Sequence, residues 1–328
     1  MTESSQSSWI SDEPEKLPDF IIGGAMKSGT TTLHTILNKH PDIEIAHEEL
    51  GFFDIDNLEQ HPDFAFQDSK TAEWITQDLT KNPELFWNWY YSKFSQNNKT
   101  IKGEDSTTYL ASSIAAERIA MQQKAIKLIF ILRHPTKRTI SNYKHQLKSG
   151  RATRNLEQTI RHNPDTIIKR SLYKEQLKNY YDNIPSHLIK VILFEDLIAD
   201  PEITIKELCD FIGVEFSKYG SGDFSVHSNK TKLPRSEYLQ LKRNKMLEYF
   251  GNYRYAHFLP NKPTEQKEVP FLHKAINKIH NWINPKAYQH SISIKPETIA
   301  YLDAYFKKEL RGLDELIQMK AMTKWFND

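Results

Sequence analysis

The chain is poor in the features that mark several protein classes. Cys209 is its one cysteine, so no disulfide can form within the chain, which is typical of a reducing compartment. Its 44 Lys and Arg nearly balance its 42 Asp and Glu, whereas nucleic-acid binders usually carry a concentrated basic excess. No apolar run approaches the roughly 20 residues of a membrane span, and the polar N-terminus shows no signal-peptide core. We therefore expect a cytoplasmic protein with no membrane span and no nucleic-acid partner.

What the chain does have is an alternation of apolar, β-branched runs with amphipathic stretches. Continuous apolarity indicates strands buried on both faces, as in a parallel sheet covered by helices. The predicted strands are 19–25, 42–46, 100–105, 126–132 and 188–194, and the predicted helices are 30–40, 114–124, 137–148, 173–183 and 201–212. This order predicts an α/β fold, a P-loop-like doubly wound parallel sheet flanked by helices, with a helical C-terminal region beginning at Pro296. We expect a flexible leader over 1–17 and one domain over 18–328.

The first strand runs into a glycine-containing turn that opens a helix. Such a turn directs backbone N–H groups and the positive end of the helix at one point, which suits a phosphate. Gly24 and Gly29 have the spacing of the two P-loop glycines. However, Thr30 stands where an ATPase carries its lysine, and the lysine lies earlier, at Lys27. The turn is therefore predicted to hold a phosphate but not to reach a γ-phosphate.

A second anion site is predicted at the end of strand 126–132. This strand delivers Arg133 at its carboxyl end, where open α/β sheets bind their ligands. Pro135 then begins a helix that carries Ser141 about two turns on. Arg138 on the same helix is expected to face solvent or an acid.

These two motifs together resemble a known family. The segment Lys27-Ser-Gly-Thr-Thr-Thr-Leu33 resembles the 5′-phosphosulfate loop of sulfotransferases that use 3′-phosphoadenosine 5′-phosphosulfate (PAPS). Arg133-x-Pro135 with Ser141 resembles the 3′-phosphate signature of the same family. The likeness runs over about 19–234 and is greatest to the branch that includes heparan sulfate sulfotransferases. It implies a sulfotransferase enzyme with PAPS as co-substrate and no metal.

The resemblance also implies roles for individual residues. Lys27 would contact the oxygen that bridges phosphate and sulfate, and Tyr173 the adenine side. A basic loop would close the nucleotide site, and its candidates are Lys230, Lys232 and Arg235. The residues that would hold the 5′-phosphate are Ser28, Gly29, Thr30, Thr31 and Thr32, and those that would hold the 3′-phosphate are Arg133 and Ser141.

The general base is predicted from the segment 47–54, HEELGFFD, which resembles the Lys-Glu-x-x-Phe-Phe-Asp motif of the heparan sulfate branch. Aligned on its last three residues, the base falls on Glu49, with His47 as the rival. Glu48 and Asp105 stand where that branch usually carries lysines. The acceptor side is thus less basic, which favours a neutral or cationic small acceptor over a polyanionic glycan.

Three further expectations complete the sequence-based picture. Glu195, Asp196 and His134 are interpreted as structural, and the aromatic residues of 74–91 as helix core. The predicted reaction is sulfuryl transfer to a hydroxyl or amine of a small-molecule or carbohydrate acceptor. Two alternatives stay open: a P-loop nucleotide kinase or NTPase, and a catalytically inactive nucleotide-binding homologue.

Overall fold

The fold is built around a five-stranded parallel sheet. A computed structural model describes residues 7–67, 70–95, 101–220, 222–224, 232–247, 259–261 and 271–326. The strands are β1 (Phe20–Gly24), β2 (Ile43–Ile45), β3 (Ile101–Asp105), β4 (Lys127–Leu132) and β5 (Ile189–Leu193). They lie in the order β2-β3-β1-β4-β5, and every neighbouring pair is parallel. The predicted doubly wound sheet is confirmed.

Both faces of the sheet are buried, as the continuous apolar runs predict. Along β1, Phe20 and Ile22 pack into one hydrophobic cluster and Ile21 packs into the other, because successive side chains of a strand point to opposite faces. The central position of β1 between β3 and β4 brings the turn after it next to the ends of both neighbours.

Helices cover both faces and fill the C-terminal region. In chain order they are α1 (Thr30–Leu37), α2 (Pro83–Tyr91), α3 (Ala115–Ala120), α4 (Pro135–Ser149), α5 (Leu156–His162), α6 (Tyr173–Asn183), α7 (Phe194–Ala199), α8 (Pro201–Ile212), α9 (Glu237–Leu247), α10 (Phe271–Ile283), α11 (Pro296–Glu309), α12 (Leu313–Ile317) and α13 (Ala321–Trp325). Two antiparallel ribbons of two-residue strands, Phe66–Gln67 with Trp74–Ile75 and Leu233–Pro234 with Lys286–Ala287, complete the elements. In the described parts of the chain, no helix has both the length and the apolar character needed to cross a bilayer.

The structure differs from the expected flexible leader over residues 7–17. Trp9 is only 2% exposed, its ring packs edge-on against Phe52, and the Arg118 guanidinium lies 3.5 Å from the ring centroid. Leu17 is also buried in the core. A single tryptophan in a polar segment carries no periodic signal, so these contacts were invisible in the sequence.

Two smaller differences concern the end of β5 and the aromatic segment. The strand ends at Leu193, and Phe194 begins α7. Phe86, Trp87 and Tyr90 are buried core residues, as expected, whereas Trp74 is 69% exposed on its ribbon.

Candidate active site

The turn between β1 and α1 has the strained backbone of an anion-binding loop. Lys27 and Gly29 both have positive φ, 68° and 102°. A side chain at Gly29 would place its Cβ 2.5 Å from the Phe194 ring, so only glycine fits there. A non-glycine residue held in the left-handed region is costly and is found preferentially at functional sites. The turn thereby presents Lys27, Thr31 and the start of α1 to one cleft.

Buried polar atoms in and beside this turn have no partner in the described chain. The Ser28 hydroxyl is fully buried without a hydrogen bond, and so is the Arg133 Nε. Such groups are costly to bury unless a ligand or water satisfies them. A phosphate-bearing ligand in the cleft would supply an acceptor for Arg133, which lines it, whereas the Ser28 hydroxyl lies beneath the cleft surface.

Arg133 follows directly after β4, and its side chain contacts the backbone of the turn. Its Nη1 donates to the Lys27 carbonyl oxygen at 3.2 Å, and its guanidinium lies 4.8 Å from the Phe194 ring centroid. Burial lowers the pKa of Arg133, and the charge of Glu195 opposes that shift. Ser141, on α4, lines the same cleft. The two predicted anion sites are thus brought together.

Tyr173 and Arg138 do not occupy the places predicted for them. Tyr173 is fully buried and outside the cleft wall, and its hydroxyl donates to the Arg133 carbonyl oxygen at 2.9 Å. It can support Arg133 but is not placed to touch an adenine from the cleft. Arg138 faces neither solvent nor an acid: it is fully buried and donates to neutral oxygens of Ser171 and Ile167.

The cleft itself has a volume of about 1300 Å³. Lys27, the α1 threonines, Arg133 and Ser141 form one side of its lining, and the segment 48–51 contributes another part. The cleft therefore has room for a nucleotide and a second reactant, because ligand sites are commonly 300–1,000 Å³. The predicted site residues that line it are Lys27, Gly29, Thr30, Thr31, Thr32, Glu49, Arg133 and Ser141.

Glu49 has the environment of a general base tuned near neutrality. Its side chain is open to the water of the cleft but enclosed by the cleft walls. This desolvation, together with repulsion from Asp105, raises the pKa of Glu49 to about 7. The Thr107 hydroxyl donates to its Oε2 at 2.9 Å, and the positive charge of Lys27 acts in the opposite direction to the burial. A carboxyl with such a pKa accepts a proton readily at neutral pH.

The two positions where acids replace the expected lysines have different partners. Glu48 pairs with Lys93 at 3.1 Å, so a lysine that follows α2 stands beside this acid. Asp105, at the end of β3, is buried beside His34 of α1, 3.4 Å away, and burial raises its pKa. One Asp105 carboxylate oxygen is buried without a partner in the described chain.

Among the described residues, the predicted site residues that do not line the cleft are Ser28, His47, Tyr173 and Arg235. His47 is exposed and does not line it, so of the two rival bases only Glu49 is placed there. Arg235 is exposed and also outside the lining. Lys230 lies outside the described residues, whereas Lys232 lies within them, does not line the cleft, and has its ammonium 4.9 Å from the Tyr288 ring centroid. Ser28 belongs to the turn between β1 and α1, but its side chain is buried below the surface of the cleft.

The sequence reasoning missed Arg170 and Thr107. Arg170 lines the cleft, donates to Gln60 at 2.9 Å, and feels the charges of Asp54 and Glu49, while burial lowers its pKa. Its only sequence signal is its place just before the Ser171-x-Tyr173 motif. Thr107 lies inside the motif that ends at Tyr109, but nothing in that motif distinguishes it as a partner of Glu49.

The fold and the cleft define a class of protein before any comparison is made. A parallel α/β sheet carries a phosphate loop after its central strand and an arginine after the next one, with a carboxyl of raised pKa in the same cleft. Together they describe a P-loop-like protein with a site for a phosphorylated ligand and a base.

The comparison with family models gives the family. The sulfotransferase family model matches residues 18–218, well over half of the chain, and the chain therefore belongs to the sulfotransferase family. Curated relatives include the mouse heparan sulfate glucosamine 3-O-sulfotransferase 5, 28% identical over 204 residues, which are 58% of this chain and 52% of the relative. The mouse heparan sulfate glucosamine 3-O-sulfotransferase 3B1 is 27% identical over a match that covers 61% of this chain and 47% of the relative. The resemblance to the heparan sulfate branch is confirmed, and the chain spans about half the length of these relatives.

A solved structure supports the fold. The sulfotransferase from Alicyclobacillus acidocaldarius is 21% identical, with a TM-score of 0.58, covering 94% of this chain and 98% of that chain. At this identity the likeness bears on the fold alone.

Proposed function

We propose that this protein transfers the sulfuryl group of PAPS to a hydroxyl or amine of a small-molecule or carbohydrate acceptor. One observation carries the proposal: the phosphate turn, Arg133 with Ser141, and Glu49 line a single cleft. The family membership agrees with it, and nothing in the comparisons favours the kinase alternative. The heparan sulfate relatives act, by their names, on a glucosamine of a glycan.

In the proposed reaction the acceptor oxygen or nitrogen forms a bond to sulfur as the bond from sulfur to the phosphate oxygen breaks. Glu49 takes the proton that the acceptor loses. Lys27 stabilises the negative charge that grows on the departing adenosine 3′,5′-bisphosphate. Arg133 and Ser141 hold the 3′-phosphate, which fixes the donor in line with the acceptor.

The acceptor side of the cleft supports a weakly charged acceptor. Cations and acids there are largely engaged with each other, as in the pairs Lys93–Glu48 and Arg151–Asp63. A polyanionic chain would have to break these pairs and would meet Asp105 near the base. We therefore propose a neutral or cationic acceptor, with hydroxyl sugars and amines as the first compounds to assay.

The donor site is tested by calorimetric titration of nucleotides into the wild type and Arg133→Ala. A charge-assisted hydrogen bond to arginine is worth roughly 1.5–3 kcal/mol, so adenosine 3′,5′-bisphosphate should bind about tenfold to a few hundredfold more tightly than AMP. Arg133→Ala should remove most of that preference. Arg161→Ala, on α5 and outside the cleft lining, is the matched control and should keep it.

The same titration separates the alternatives. Tight, Mg²⁺-dependent binding of ATP with no preference for a 3′-phosphate would contradict the proposal and restore the kinase. Normal nucleotide preference without sulfuryl transfer to any acceptor of a broad panel would favour an inactive homologue.

A further inference from the structure

Helix α10 exposes its apolar side, whereas an ordinary surface helix exposes its polar side. Its sequence, FLHKAINKIHNWI, is strongly amphipathic, and such a helix normally buries its apolar side. Here no residue of the helix is buried, and Phe271 and Trp282 are 85% and 84% exposed. Leu272, Ile279 and Ile283 are exposed as well.

The polar side of α10 is the side that contacts the protein. Asn277 accepts hydrogen bonds from the Arg243 guanidinium, at 3.0 Å from Nε, and the His280 ring is 3.1 Å from Gln240. Just beyond the helix, buried Asn284 exchanges hydrogen bonds with the Ser236 backbone at 2.7 and 2.9 Å. Specific polar contacts therefore fix the orientation that leaves the apolar side outward.

The two sides follow from helical geometry. At 100° per residue, Phe271, Trp282, Ile279 and Leu272 fall within about 100° of one another, and Asn277 and His280 lie opposite. Lys274 and Lys278 fall on the flank of the apolar side, and both are exposed. We call the outward set Phe271, Leu272, Ile279, Trp282 and Ile283, with Lys274 and Lys278, the α10 apolar face.

The charge around this face is of one sign. Residues 238–247 of α9 and residues 271–295 contain no Asp or Glu, and the acid that begins α9, Glu237, accepts a hydrogen bond from the Tyr143 hydroxyl. Lys242 and Lys245 of α9 are exposed, as are Lys274 and Lys278 of α10. An outward apolar stripe with an aromatic residue at each end and a lysine border is the pattern of a helix that lies in a membrane interface.

We propose that the α10 apolar face binds the surface of a bilayer that contains anionic lipids, with the helix lying in the plane of the interface. Its aromatic and aliphatic side chains enter the boundary of the acyl region, and its lysines attract the negative headgroups. A second copy of this chain fits less well, because a twofold contact would bring lysine against lysine with no acid to compensate. This proposal is independent of the proposed sulfuryl transfer.

The test is flotation of the purified full chain with vesicles, either phosphatidylcholine alone or phosphatidylcholine with about a third phosphatidylserine. The wild type should bind the anionic vesicles, bind neutral ones weakly, and release as salt is added. The double variant Phe271→Ser/Trp282→Ser should bind roughly tenfold or more weakly, since it loses two large apolar anchors. Lys274→Glu/Lys278→Glu should lose binding to a similar degree, about tenfold or more.

Trp74→Ser provides the matched control, because Trp74 is also an exposed tryptophan, at 69% against 84% for Trp282, and it belongs to a two-stranded ribbon and not to α10. It should bind like the wild type, and all variants should keep their circular dichroism. Failure of the wild type to bind anionic vesicles would overturn the proposal. Binding to neutral vesicles as tight as to anionic ones would also overturn it. So would a loss of binding in Trp74→Ser as large as that in Phe271→Ser/Trp282→Ser. A dimer that the Phe271→Ser/Trp282→Ser variant abolishes would assign the face to self-association instead.

Discussion

Glu49 owes its proposed role to its surroundings rather than to its residue type. Glu48, next to it, is half-buried and paired with Lys93, whereas Glu49 opens to the cleft between its walls and is repelled by Asp105. Two adjacent glutamates thus have different chemistry because the cleft and Asp105 raise the pKa of one, while the other is paired with a lysine.

We predict that Glu49→Gln lowers the rate of sulfuryl transfer by roughly 10²-fold to 10⁴-fold, while nucleotide affinity stays nearly unchanged. Glu48→Gln, its isosteric neighbour, is the control and should have a much smaller effect. Single-turnover assays with calorimetry distinguish transfer from binding. The opposite ranking of the two variants would place the base at Glu48.

We expect the protonation of Glu49 to set the pH dependence of the transfer rate. Glu49 acts when deprotonated, and its pKa is raised to about 7, so transfer should increase as the pH rises through about 7. Asp105→Asn removes one source of repulsion, so the acid limb of the pH profile should move to lower pH. An acid limb that stays in place, or moves upward, would contradict the assignment of Glu49.

At the scale of elements, the end of β3 organises the segment that carries Glu49. The Gly51 N–H donates to the Ser106 hydroxyl at 2.9 Å, and the Phe53 N–H donates to the Tyr109 hydroxyl at 3.0 Å. Both hydroxyls in turn donate to Glu104, which is fully buried, and burial raises its pKa to about 7. A buried carboxyl is thereby connected by hydrogen bonds to the backbone around the proposed base.

We predict that Tyr109→Phe lowers the free energy of unfolding by about 1–3 kcal/mol, because the Phe53 N–H and Glu104 lose a buried partner. The rate of transfer should fall while nucleotide affinity is kept, since the loosened segment carries the base and not the phosphate turn. Tyr238→Phe, at an exposed tyrosine of α9, should change stability by less than about 0.5 kcal/mol. Urea denaturation and initial rates measure the two effects, and a full-rate Tyr109→Phe variant would exclude the positioning role.

At the scale of the whole molecule, residues 7–17 are part of the packed structure. The Trp9 carbonyl oxygen accepts a hydrogen bond from Gln122 at 2.7 Å, and its ring lies between Phe52 and Arg118. Phe52 belongs to the segment that carries Glu49, so the N-terminal residues pack against that segment.

We predict that Trp9→Ala destabilises the protein by about 3–5 kcal/mol, the usual cost of removing a large buried aromatic side chain. Trp74→Ala removes an exposed tryptophan and should have little effect on the urea midpoint. Equal midpoints for Trp9→Ala and the wild type would show that the N-terminal segment packs without contributing to stability.

The sequence by itself determined the sheet, because runs such as LIFIL at 128–132 are apolar at every position and can only be satisfied by burial on both faces. It also determined the two predicted anion-binding motifs, the one at 27–33 and the one of Arg133 with Ser141, and through them the family, since each motif is a short stretch of the chain. The single domain, the cytoplasmic location, the acceptor class and the identity of the base stay predictions. Only the tertiary structure placed Glu49 and not His47 in the cleft, buried Tyr173 and Arg138, and brought Arg170 and Thr107 to the cleft. Those outcomes depend on contacts between residues far apart in the chain, and so does the outward orientation of α10. Its contacts are those of Asn277 with Arg243 of α9 and of buried Asn284 with the Ser236 backbone.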